Sequence, residues 1–123
     1  MSDPRTVTID TIDHGLVVVD EPAWCIGHGW QINRGIGRND ITHNSVRAKS
    51  RMTTDTHGLE PLLTTNVTWA PFAELVPLVT VELDVIGDYS AEDVLTVARG
   101  LRVAASRLER VAAEAIRLRE DVL

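Results

Sequence analysis

Residues 90–123 read SAEDVLTVARGLRVAASRLERVAAEAIRLREDVL. Ser90 is an N-cap residue, and Asp93, three positions on, can reciprocate as a short capping box. Val94, Ala98, Leu101, Ala105, Leu108, Ala112 and Ala115 recur at alternating steps of four and three, and Val97, Ala104, Val111 and Leu118 widen that stripe. This is the period of a helix with one apolar face. Only Gly100 weakens it, by roughly 1 kcal/mol against Ala. One helix over 90–123 is therefore predicted. Residues 1–89 show a different period, and the strands they predict precede the helix rather than alternate with helices. The expected fold class is α+β: an antiparallel sheet of about five strands with one long C-terminal helix across one face.

Working back from the helix, Leu75 to Ile86 holds the cleanest alternation. Val79, Val81, Leu83 and Val85 point one way, and Thr80, Glu82 and Asp84 the other. Leu62 to Trp69 predicts a strand that Ala70-Pro71-Phe72 breaks. Val46 to Met52 alternates Val46, Ala48, Ser50 and Met52 against Arg47, Lys49 and Arg51. Thr6 to Ile12 and Leu16 to Val19 flank Asp13-His14-Gly15, which is turn chemistry, so the first two strands are a hairpin. Between Ala23 and Ile41 there is no periodicity, and Gly27, Gly29, Gly35 and Gly37 interrupt it. The expected organisation is a single domain over 1–123, mainly β over 1–89 with an irregular 23–41 loop, then the helix.

The 123 residues suffice for one core. Apolar residues are 44% and charged residues 24%, an ordinary globular balance. Aromatics are only 4%, so Val, Leu, Ile and Ala must build the interior. The single cysteine excludes an internal disulfide, no apolar leader follows Met1-Ser2-Asp3-Pro4, and no apolar run approaches the roughly 20 residues of a membrane span. The expected location is cytoplasmic.

A long irregular loop in a small domain is usually functional or tied down. Here it carries Pro22-Ala23-Trp24-Cys25-Ile26-Gly27-His28. Cys25-x2-His28 is short enough for one turn to present a thiolate and an imidazole to a single ion. His43, with fourteen residues intervening, has the separation of the second half of a structural zinc site. The fourth ligand is open among His57, Asp40 and Glu21, with His14 behind them. Zinc would order the loop, because binding a structural ion contributes folding energy directly. Without metal, Trp24 and Cys25 read as ordinary core residues. Gly35-Ile36-Gly37-Arg38 lacks the spacing of a phosphate loop.

Arg34, Arg38, Arg47, Lys49 and Arg51 face only Asp40 in their stretch, whereas residues 52–89 carry six acidic residues and no Lys or Arg. The expectation is cross-strand pairing of Arg47, Lys49 and Arg51 with Glu82 and Asp84. A net charge of −6 and few aromatics disfavour nucleic acid. The helix would span roughly 48 Å, against about 20 Å for a six-residue strand. Its second half, Leu108 to Val122, is thus expected to project and to expose Val111, Ala115 and Leu118 to a second copy. A homo-oligomer, most simply a dimer, through the 94–122 helix is expected.

Pro22-x-Trp24-Cys25-x2-His28, Asp40-Ile41-Thr42-His43, Ala70-Pro71-Phe72, the Arg5-Thr6-Val7-Thr8 opening and the alanine-rich helix together resemble a family of small actinobacterial proteins built on a domain of unknown function. The resemblance covers most of the chain. It implies a Cys/His-centred site and no particular activity. In such relatives the position of Glu21 is often a second cysteine, which would complete a fuller metal set; this chain has Glu there. The function expected is a small non-enzymatic accessory or regulatory binding module, self-associating through its helix, with a structural zinc site. The alternatives are a small metal- or thiol-dependent hydrolase using Cys25, His28 and His43, and nucleic-acid binding through Arg34–Arg51.

Overall fold

The structure is a computed structural model and describes residues 5–122. The expected leaderless start, Met1 to Pro4, and the last expected helical residue, Leu123, lie outside the described residues. In chain order the elements are β1 (Arg5–Thr11), β2 (Gly15–Glu21), a 3-10 turn η1 (Arg38–Asp40), β3 (His43–Asn44), β4 (Ala48–Thr54), β5 (Gly58–Trp69), β6 (Leu78–Leu83) and α1 (Ala91–Val122). The class is α+β, as the two periodicities require.

The strands divide into two antiparallel sheets rather than one. β1 and β2 pair only with each other, with Ile9 opposite Val17 and Val7 opposite Val19. An isolated hairpin is marginal in water. This one is backed by the irregular loop instead of by the main sheet: Ile9, Val19 and Ile41 are buried together, with Ile36 and Phe72 against them. The Ile12 amide donates to the Ile36 carbonyl at 2.9 Å, and the Arg38 guanidinium lies 4.1 Å from the Phe72 ring centre.

β5 is the spine of the second sheet. Thr68 pairs with both Asn44 and Leu78, and Thr64 with both Lys49 and Glu82. β3 and β4 therefore share one edge of β5, and β6 takes the other. The expected pairing of Arg47, Lys49 and Arg51 with Glu82 and Asp84 does not form. Lys49 and Glu82 flank Thr64 from opposite sides, two strand spacings or roughly 10 Å apart. Val46 is 76% exposed rather than inward, because the chain breaks its ladder there. Ser45 supplies the link instead, its amide to the Val67 carbonyl and its hydroxyl from the Val67 amide, both 2.9 Å. A bulge between Ser50 and Arg51 leaves Leu62 as the extra residue on β5, so Leu62 and Leu63 are both wholly buried.

α1 is capped as expected, with the Asp93 amide donating to the Ser90 hydroxyl at 3.2 Å. Asp93 does not return the bond. Its carboxylate accepts from the Asp55 and Thr56 amides (3.1 and 2.8 Å) and from the Thr56 hydroxyl, tying the helix start to the β4–β5 turn. The face that packs is rotated from the expected one. Ala104 and Ala115 are buried and Val97 and Leu108 partly so, whereas Val94 and Leu101 stay about half exposed. Small residues explain the choice: a Cβ on Gly100 would lie 3.0 Å from Leu62 Cδ2, so Gly100 and Ala104 let the helix settle onto Leu62 and Met52. The helix runs unbroken through Gly100. Its second half does not project bare, since Ala115 is 6% exposed and Val111 and Leu118 are half-buried. The twelve residues of β5 span about 40 Å, twice the strand length assumed from the sequence. No helix among the described residues is long and apolar enough to cross a membrane.

Candidate metal centre

Where the hairpin meets the main sheet, four donor side chains converge. Glu21 ends β2. Cys25 and His28 sit in the turn that follows, closed by the Cys25 amide on the Pro22 carbonyl at 3.0 Å and the Gln31 amide on the His28 carbonyl at 2.8 Å. His43 lies in β3, opposite Trp69 of β5. Glu21 Oε1 is 2.9 Å from His28 Nε2 and 3.0 Å from His43 Nδ1, and Cys25 Sγ is 3.6 Å from His28 Nε2. One ligand atom from each of the four lies within 4.8 Å of every other. Donors around a single tetrahedral ion stand roughly 3.3 to 3.6 Å apart, so small side-chain adjustments would let this group close on a metal ion.

The surroundings orient these groups. Gln31 Oε1 accepts the Thr42 amide at 3.2 Å, and its Nε2 donates to the Asp40 carbonyl at 2.9 Å. The amide orientation is thereby settled, and Gln31 Oε1, 3.1 Å from His28 Nδ1, accepts that N–H. His28 Nε2 is left to face Glu21 and Cys25. This is the outer-shell arrangement that fixes a metal-binding histidine. The Gly27 amide, at a φ of 107°, donates to Cys25 Sγ at 3.4 Å. Trp24 and Trp69 flank His43, with ring centres 6.1 and 5.9 Å away, and close the centre off. Cys25, His28 and His43 are all buried.

Electrostatics follow from that burial. Burial, and then the Glu21 carboxylate, push the Cys25 thiol above its ordinary value, while the Gly27 and Asn44 amides oppose. Burial holds the His43 imidazole below its ordinary value despite Glu21, which favours the neutral ring that ligates metal. For Glu21 burial acts upward, but hydrogen bonds with Cys25 and His28 outweigh it and leave the carboxyl below its usual range. A carboxylate oxygen, a thiol and two imidazole nitrogens thus face one another, bridged by protons that a metal ion would displace.

The other expected ligands stand elsewhere. Asp40 meets the centre's outer shell only through its backbone carbonyl. The His57 ring accepts no part in it: it stacks on Tyr89 with centres 4.4 Å apart and bonds the Asp88 carbonyl at 2.9 Å. His14 is at the hairpin tip beside Asp13. Glu21, one of three open choices for the fourth ligand, is the residue that the end of β2 delivers. Gln31 has no ligand chemistry, and nothing in its spacing marks it.

The chain belongs to the family described as a domain of unknown function (DUF6907), which it matches over residues 6–117. No curated protein and no solved structure matches it.

Proposed function

We propose that this DUF6907 member is a non-enzymatic accessory or regulatory binding module, in which Glu21, Cys25, His28 and His43 hold a structural zinc ion. The observation that carries this reading is the convergence of four donors, three buried and Glu21 half-buried, from β2, the following turn and β3. Four protein donors complete a tetrahedral shell, the mark of a structural site, whereas hydrolytic zinc keeps one position for water. The same convergence weighs against a thiol nucleophile, because the buried sulfur is held above its ordinary pKa. Self-association and a cytoplasmic setting belong to the same proposal. Val94 and Leu101 on α1 and Val81 and Leu83 on β6 leave an apolar flank available to a second copy.

Elemental analysis of the purified protein tests the metal, with roughly one zinc per chain expected. Cobalt substitution should give a thiolate-to-metal charge-transfer band that Cys25→Ser removes. Protein that neither purifies with zinc nor takes it up on refolding overturns the reading.

A further inference from the structure

A groove of about 330 Å³ runs along the outer edge of β4, floored by residues 50–53 and walled by Arg99, Gly100 and Arg107 of α1. It continues past Arg107 to Arg110 and Glu114. Gly100 presents no side chain to it, which adds depth. In a chain of net charge −6, Arg51, Arg99, Arg107 and Arg110 line this groove. Among the described residues none of the four has a carboxylate within 4.0 Å; Glu114, at the far end, is paired with Arg117. The acidic residues that sequence pairing would have brought to β4 are on β6, across β5. Arg107 is held in position, its Nη1 donating to the Lys49 carbonyl and, at 2.7 Å, to the Ser50 hydroxyl.

We infer that this groove binds an acidic polypeptide segment in extended form. β4 pairs only with β5, so the outer edge beside residues 51–53 is open to an added strand. Arg99 and Arg107 are eight residues apart on the helix, about 12 Å. Carboxylates four residues apart on an extended strand are about 13 Å apart, so both guanidiniums can be met at once. No lining residue is aromatic, so bases would find no ring to stack on, and the net negative charge repels a polyanion as dense as nucleic acid.

Fluorescence anisotropy of the full chain with a labelled short peptide alternating Glu and Val tests this. Binding is expected, weakening roughly tenfold or more between low and high salt. Arg99→Glu should weaken it roughly tenfold, while Arg119→Glu, the same charge change beyond the groove, should leave it within about twofold. Methylation of alternate peptide amides should abolish it, because strand addition needs those N–H groups. No binding of the acidic peptide, tighter binding of single-stranded DNA, equal losses in the two variants, or indifference to methylation would each overturn the inference.

Discussion

Gln31 decides which nitrogen of His28 faces the candidate metal centre, although it is not itself one of the four donors. With its amide held by Thr42 and the Asp40 carbonyl, it keeps a proton on His28 Nδ1 and leaves Nε2 for the ion. Gln31→Leu should lower zinc affinity about 10–100-fold, measured by competition with a chromophoric chelator, while the zinc-loaded protein keeps its fold. Unchanged affinity would mean that packing alone aims the ring. Cys25, His28 and His43 were legible in the sequence because ligand types at metal spacings are rare. Gln31 was not, because an outer-shell partner is defined only by contact, and Glu21 was no better marked than Asp40 or His57. A second residue outside the centre carries a pH signature. The Thr56 hydroxyl, and with it the Thr56 and Asp55 amides, hold the Asp93 carboxyl below its usual range. A depressed folded pKa contributes stability that is fully present above the unfolded value of about 3.9 and lost as pH falls through the lower folded value. Asp93→Asn should therefore lower the Tm at neutral pH and flatten its fall below about pH 4. A variant with the wild-type acid slope would remove Asp93 from that account.

At the scale of elements, the helix was legible and its rotation was not. Periodicity marks an apolar stripe but does not say which row of it will touch the sheet. That is settled by clearance: Gly100 allows an approach to Leu62 that Leu101 in its place would forbid. The same blindness affected β6, whose alternation is the cleanest in the chain. Val81 and Leu83 do lie on the helix side, opposite Thr65 and Leu63, yet both are about half exposed, because α1 lies mainly over β4 and β5. Strand length was also hidden. Glu60 and Pro61 interrupt any apolar pattern, and the bulge shifts its phase, so β5 read as eight residues instead of twelve. The clearance argument predicts a ranking. Gly100→Leu should destabilise by about 1–3 kcal/mol through overpacking against Leu62. Leu62→Ala, which empties a wholly buried site, should cost about 2–5 kcal/mol. Leu101→Ala should cost less than either. Denaturant melts of the three decide it, and a Leu101→Ala cost equal to that of Leu62→Ala would restore the rotation expected from periodicity alone.

The whole molecule has two cores that share no residue: Met52, Leu62, Leu63 and Ala104 under the helix, and Ile9, Val19 and Ile41 under the hairpin. The candidate metal centre lies on the seam, with Glu21 from the hairpin and His43 paired to the spine strand β5. Zinc removal should thus loosen the hairpin before the helical core. In hydrogen exchange with a chelator present, β1 and β2 amides should lose protection while those of α1 and β5 keep it; uniform loss would make the two cores one cooperative unit. The proposed self-association turns on the sheet's two free edges. The β4 edge is basic, with Arg107 on the Lys49 carbonyl and Lys49 and Arg51 alongside, so two copies of it repel each other while an acidic strand is attracted. The β6 edge carries no Lys or Arg, and its one charge is Glu82. A two-fold axis normal to the sheet pairs β6 with a second copy antiparallel and keeps both helices on one face. Directly opposed side chains must share a face, so the axis passes through a residue. Centred on Val81, it sets Val79 opposite the second copy's Leu83 and avoids the direct Glu82 self-contact that centring on Glu82 would impose. Val81→Lys places a buried charge at that axis and should convert a dimer to a monomer in sedimentation equilibrium, with the monomer's circular dichroism unchanged. A wild-type chain that stays monomeric at high concentration would leave the β6 edge without a partner of its own kind.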